Sequence, residues 1–220
     1  MPTALVTGSN RGIGLELCRV LAKRGYDVIA ACREPSAELK ALGVRVLDDV
    51  DVSSGADVAG MATRLRGTTV DLLVNNAGIL LRGGLDDLDV DVVRRQLEVN
   101  AIAPLRVTKA MLPLLANPSK VAMITSRMGS IGDNTSGGMY GYRMSKAALN
   151  AGAVSLAHDL RGRGVAVAIL HPGFVKTDMT GGNGNCGPAE AAASLVDRIE
   201  ALTLESSGTF WHAEGEVLPW

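Results

Sequence analysis

Short apolar runs alternate with longer amphipathic segments along almost the whole chain, and this alternation restricts the fold more than any other feature. A strand that is apolar at nearly every position must be covered on both faces, which a parallel sheet achieves with crossover helices. The expected strands are Ala4–Thr7, Asp27–Ala31, Arg45–Leu47, Asp71–Val74, Val121–Thr125, Val165–Leu170 and Gly208–Trp211. Between them, Ile13 to Arg24, Ser36 to Leu42, Ala56 to Leu65, Asp89 to Leu115, Tyr140 to Arg161 and Pro188 to Leu202 carry helical periodicity. The expected architecture is therefore α/β: a doubly wound, mostly parallel seven-stranded sheet with helices on both faces. Neither a repeat nor a long polar linker divides the chain, so residues 1–220 are expected to form one domain.

Composition narrows the function classes. Lys plus Arg number 22 against 23 Asp plus Glu, a formal charge of -1, which provides no electrostatic bias toward nucleic acid or an anionic membrane. Apolar runs stay at strand length and nothing resembles an export signal, so neither a membrane span nor a leader is expected. Cys18, Cys32 and Cys186 are odd in number and widely spaced, which fits a reducing, cytoplasmic compartment better than a disulfide framework. No metal-ligand spacing is present among the histidines, cysteines and acids, and no metal is expected.

Gly8-Ser-Asn10-Arg11-Gly12-Ile13-Gly14 lies where the first strand turns into the first helix. A dinucleotide pyrophosphate needs close backbone approach and free N–H groups at a helix N-terminus, which side chains at the glycine positions would block. The simpler reading, a turn that lets a strand pack on a helix, stays open on this motif alone. After the second strand an NAD site usually places a carboxylate, whereas this chain has Cys32 and Arg33. Arg33 and Arg11 suit a 2′-phosphate, so NADP(H) is preferred and NAD(H) is the second choice; solvated surface arginines are the alternative.

Tyr142 and Lys146 are four residues apart on an expected helix and face the same side. A phenol with a pKa near ~10 works as an acid/base at neutral pH only if its anion is stabilised, and an ammonium one turn away does that. Tyr140 is the weaker choice, since Met144 occupies its i+4 position.

Together these segments resemble the short-chain dehydrogenase/reductase superfamily over essentially the whole chain. Thr7-Gly8-x3-Gly12-x-Gly14 resembles its cofactor loop, and Asn75-Asn76-Ala77-Gly78 its strand-stabilising motif. The stretch from Ser126 to Tyr142 and the ending Glu214–Trp220 resemble its C-factor/sniffer, carbonyl-reductase-like group. The resemblance implies a Rossmann fold and a catalytic set of Asn100, Ser126, Tyr142 and Lys146, with Ser130 as the alternative serine. It also implies cofactor contacts from the glycine loop, Arg33, the adenine-side pair Asp51-Val52, Asn76, Ala77 and Gly78, from Tyr142 and Lys146, and from Pro172, Gly173, Val175 and Thr177. In this scheme Tyr142 gives a proton to the carbonyl oxygen, Lys146 holds the ribose and lowers the phenol pKa, Ser126 polarises the carbonyl, and Asn100 supports a water-linked proton path.

The implied activity is NADPH-dependent reduction of an aldehyde or ketone, reversible toward alcohol oxidation, with a small-molecule partner. A cofactor-binding sensor with little turnover is the competing reading, weighed against by the complete Ser126, Tyr142 and Lys146 set. A monomer, homodimer and tetramer all remain open. Residues 180–187 read either as a mobile flap or as an ordinary surface loop. His171 reads as a hydrogen-bonded structural residue before a cofactor-side one, Cys186 as a bystander thiol, and Met128, Met139, Met144 and Met179 as pocket lining or core filler. Trp211 and Trp220 either anchor the last strand or meet another subunit.

Overall fold

In the computed structural model, which describes residues 1–220, the apolar runs become strands: β1 (Thr3–Thr7), β2 (Asp27–Ala31), β3 (Arg45–Leu47), β4 (Val70–Asn75), β5 (Leu115–Ile124), β6 (Val165–His171) and β7 (Phe210–His212). They form one sheet in the order β3-β2-β1-β4-β5-β6-β7, and every neighbouring pair is parallel. The order reverses between β1 and β4, which opens a crevice at the carboxyl edge of the sheet.

Helices cover both faces: α1 (Gly12–Lys23), α2 (Ala37–Ala41), α3 (Gly55–Arg64), α4 (Val90–Leu97), α5 (Ala103–Met111), α6 (Tyr140–Arg161) and α7 (Pro188–Ala201). Side chains alternate across each strand, so the sheet feeds two cores. Leu5, Ile29, Leu73, Val121 and Val167 pack with Met61, Val107 and Leu149 from α3, α5 and α6. The intervening Ala4, Val28, Leu72, Ala122 and Ala168 pack with Leu17, Leu21, Leu195 and Ile199 from α1 and α7. Cys18 and Cys32 belong to this second core, and burial pushes the Cys18 thiol up to about 12, so it behaves as a small apolar group.

One expected helix is not continuous. The span Asp89 to Leu115 divides into α4, a π-helical turn over Glu98–Ile102, α5, and a 3₁₀ turn over Leu112–Leu114. Pro104 has no N–H to give the Asn100 carbonyl, and the Ala103 N–H bonds to Glu98 O, five residues back, so the chain takes the wider π turn there. Pro113 ends the helical run, and the strand begins at Leu115, six residues before the expected Val121. At the other end of the chain, Trp220 stacks on Phe210 of β7 with ring centroids 5.5 Å apart. No helix is long and apolar enough to cross a membrane.

Candidate active site

Space at the β1–α1 turn is set by its glycines. Gly8 and Gly12 adopt φ of +66° and +54°, the left-handed region that L side chains avoid. A Cβ at Gly8 would lie 2.7 Å from Ala77 Cα, and one at Gly14 would lie 2.1 Å from Gly8 O and 2.5 Å from Asn76 Nδ2. The N-terminus of α1 begins here with no side-chain cap and no acidic residue in its first turn. Uncapped N–H groups, the positive end of the helix dipole and bare backbone are the donor set a pyrophosphate requires, so these residues fit that group. Asn10 and Ile13 are half-buried beside the turn.

Asn75–Gly78 ties the ends of two strands together. The Thr7 hydroxyl accepts from the N–H groups of Asn76 (3.1 Å) and Ala77 (3.2 Å), while Asn76 Nδ2 donates to Thr7 O (3.0 Å) and Gly8 O (3.1 Å). Asn75 Nδ2 reaches back to Thr108 Oγ1 at 3.1 Å, anchoring the same corner to α5. Gly78 faces Asn100 and Lys146; a Cβ there would lie 3.2 Å from Asn100 Oδ1 and 3.8 Å from Lys146 Nζ.

Arg33 stands exposed just beyond β2, and its charge helps hold the Asp51 carboxyl low. The larger cause is Ser53, whose hydroxyl and N–H donate to Asp51 Oδ1 at 2.7 and 2.9 Å. Val52 is buried beside it. Arg11 pairs with Asp178 at 3.1 Å across the mouth of the crevice, both side chains exposed.

Tyr142 and Lys146 lie on the inward face of α6, 7% and 5% exposed. Lys146 Nζ sits 5.9 Å from the Tyr142 ring centroid and donates to Ile124 O at 2.9 Å. Burial pulls the lysine down to about 8. Burial also pushes the Tyr142 phenol up, opposed by the Ser126 hydroxyl. The expected lowering of the phenol by Lys146 is absent from this arrangement, because the ammonium is turned to a carbonyl oxygen and is itself desolvated.

The two candidate serines differ in what they touch. Ser126 Oγ accepts from Met128 N–H at 3.2 Å and acts on Tyr142, whereas Ser130 Oγ is taken up by the Asp133 N–H at 3.1 Å. Asn100 lies in the π turn, fully buried, donating to Ile79 O (2.8 Å) and Ser145 Oγ (3.0 Å) and accepting from Ile79 N–H (2.8 Å). Its side chain makes no hydrogen bond to Lys146; it holds the loop after β4 against α6.

Beyond β6, Gly173 takes φ of +90° after half-buried Pro172, Val175 is buried, and Thr177 Cγ2 lies 3.5 Å from the position of a Cβ on Gly12. Thr177 therefore faces the glycine turn across the crevice.

A family model described as short chain dehydrogenase matches residues 2–185. The chain belongs to the short-chain dehydrogenase/reductase family. It is 46% identical over the full length of both chains to 1-hydroxy-2-glutathionyl-2-methyl-3-butene dehydrogenase of Rhodococcus sp. (strain AD45). Among solved structures, an NADPH-bound carbonyl reductase from chicken fatty liver superposes with a TM-score of 0.92 at 30% identity, covering 100% of this chain and 99% of that one. The carbonyl reductase Sniffer of D. melanogaster superposes with 0.93 at 29% identity, covering both chains completely. This short-chain dehydrogenase is thus an oxidoreductase of the C-factor/sniffer-like group, built to bind a nicotinamide cofactor.

Several features of the dehydrogenase have no sequence-level signal. The 180–187 segment is not a free flap: Val175 and Cys186 form a parallel bridge, Lys176 N–H donates to Cys186 O at 3.0 Å, and Asn185 N–H to Phe174 O at 2.6 Å. His171 meets His212 edge-on at 5.2 Å, its Nδ1 is buried without a hydrogen-bond partner, and burial brings it down to about 3, so it stays neutral. Met144 and Met179 are exposed while Met128 and Met139 are half-buried, so none of the four is core filler. Gly129 backs directly onto α6, where a Cβ would come within 2.9 Å of Lys146. That contact joins residues far apart in sequence, and periodicity carries no trace of it.

Proposed function

We propose that this short-chain dehydrogenase is an NADPH-dependent reductase of aldehydes or ketones that also runs toward alcohol oxidation. The carrying observation is the convergence of the Ser126 hydroxyl, the Tyr142 phenol and the Lys146 ammonium at the carboxyl edge of the sheet, next to the glycine turn. A carbonyl placed there meets a proton donor and a polarising hydroxyl together.

When bound, the nicotinamide cofactor supplies hydride to the carbonyl carbon or takes it from the alcohol. Tyr142 gives its phenolic proton to the oxygen; its raised pKa keeps that proton in place until negative charge develops on the substrate. Ser126 Oγ uses an acceptor lone pair on Met128 N–H, which leaves its O–H free to orient the same oxygen. Lys146, whose Nζ donates to Ile124 O and keeps two further N–H donors, would hold the cofactor ribose beside the phenol. Asn100 fixes the Ile79 loop beside Lys146, and Pro104 gives its backbone carbonyl no i+4 N–H, which suits a water that returns protons to the lysine.

NADP(H) is favoured over NAD(H) by Arg33 beyond β2 and by the absence of a carboxylate in Cys32-Arg33. The NADPH held by the similar chicken reductase supports the same preference, and the similar Rhodococcus dehydrogenase, named for a hydroxy compound, supports the oxidative direction. A sensor role would not need the buried proton-donor set.

The test is Tyr142→Phe assayed against aldehydes, ketones, diketones and quinones. The variant should still bind NADPH and lose at least about a hundredfold in turnover, the contribution expected of general acid catalysis. Near-normal turnover would remove Tyr142 from the mechanism.

A further inference from the structure

The segment Arg127–Asp133, directly after Ser126, is held between two walls. On the inner side Gly129 lies so close to α6 that a Cβ would come 2.8 Å from the Lys146 carbonyl carbon. On the outer side stand the last residues of the sequence. They return along β7: His212 N–H donates to Glu216 O and Leu218 N–H to Phe210 O, each at 2.8 Å, with Trp211 and Val217 forming an antiparallel bridge. Leu218 enters the core, and the Trp220 ring stacks on buried Phe210. This places Trp220 O to accept from Gly132 N–H at 2.7 Å, where a Cβ on Gly132 would lie 3.1 Å from that oxygen. Arg127 links the same two pieces, paired with Asp133 and lying 3.6 Å from Glu216.

We propose that Trp220 is a positioning residue for the reaction: it presses the Arg127–Asp133 segment against α6 and so sets where the Ser126 hydroxyl points relative to Tyr142. Within the segment, Gly129 N–H donates to Ser126 O at 2.8 Å and Ser130 N–H to Arg127 O at 2.9 Å, so a shift at Gly132 is passed through one tight turn to Ser126. Ser126 Oγ is oriented by the Met128 N–H and faces the Tyr142 phenol, and displacements of about 1 Å at a reacting group are enough to cost rate. Glu216 adds a weaker tether through Arg127.

The inference rests on the serine role proposed above, and a double-mutant cycle separates the two. Turnover, KM and NADPH affinity are measured for Trp220→Ala, Ser126→Ala and the pair, in the full chain. Trp220→Ala should lower kcat about tenfold with NADPH affinity unchanged, and should lower it less than twofold further when Ser126 is already alanine. Equal losses in both backgrounds, or a loss confined to NADPH affinity, overturn the positioning role. Ser126→Ala with full turnover instead overturns the serine reading, and the proposal with it. Should Trp220→Ala fail to fold, Gly132→Ala opens the same contact from the other side and must show the same dependence on Ser126. Unchanged kcat in a folded Gly132→Ala protein counts against the proposal.

Discussion

Asn100 and Ile79 exchange two hydrogen bonds of 2.8 Å each, the Asn100 side chain serving both backbone groups of a residue 21 positions earlier. This reciprocal pair fixes the loop that leaves β4, and Ser145 on α6 receives the second amide proton at 3.0 Å. Replacing Asn100 by alanine strands the N–H and C=O of half-buried Ile79. Each uncompensated group costs about 1–3 kcal/mol, so the expected loss is about 2–4 kcal/mol in a urea titration, together with reduced turnover. A change under about 0.5 kcal/mol would show that the loop is held by other contacts.

Lys146 trades stability for charge. Its pKa of about 8 in the folded chain lies below the ordinary value of 10.5, because burial penalises the ammonium. The penalty is fully present below pH 8, shrinks as pH rises, and vanishes above about 10.5, where the amine is neutral in both states. Lys146→Met should therefore stabilise the protein by roughly 1–2 kcal/mol at pH 7, after allowing for the lost bond to Ile124 O, while abolishing measurable turnover. The gain should fade between pH 8 and 10.5 in thermal melts. A destabilised variant at pH 7 would contradict this account.

Arg33 makes no close ion pair, acting on Asp51 only through space, so a cofactor phosphate would displace no contact, whereas Arg11 is already paired with Asp178. Arg33→Ala is expected to weaken NADPH by about 1.5–3 kcal/mol, the worth of a charge-assisted bond, and to leave NADH within twofold. Fluorescence titrations with both nucleotides decide it, and equal weakening would rule out the phosphate role.

Gly14→Ala tests the glycine turn. Its Cβ would stand 2.1 Å from Gly8 O, with the Asn76 amide 2.5 Å away, so backbone must move. A loss of roughly 3 kcal/mol or more in stability, or of a hundredfold in nucleotide affinity, is expected from the overpacking. Calorimetry and a binding titration on the same preparation report both, and an unperturbed variant would mean that the turn has more room than the backbone suggests.

Much of this molecule is written in local pattern. Strand runs apolar throughout require a sheet covered on both faces, and glycines placed where β1 turns into α1 require bare backbone there. The four-residue spacing of Tyr142 and Lys146 puts both on one face of α6. These are consequences of backbone periodicity and sterics, which neighbouring residues decide among themselves. Sequence pattern does not reveal the break in the helix at Asn100, the partner that takes up the Ser130 hydroxyl, or the turn of Lys146 toward Ile124 O. Those features depend on which strand ends the sheet order brings side by side and which buried polar groups then find partners. Such partners lie tens of residues apart, so only the folded packing selects among them, because desolvation makes an unpaired group too costly to keep.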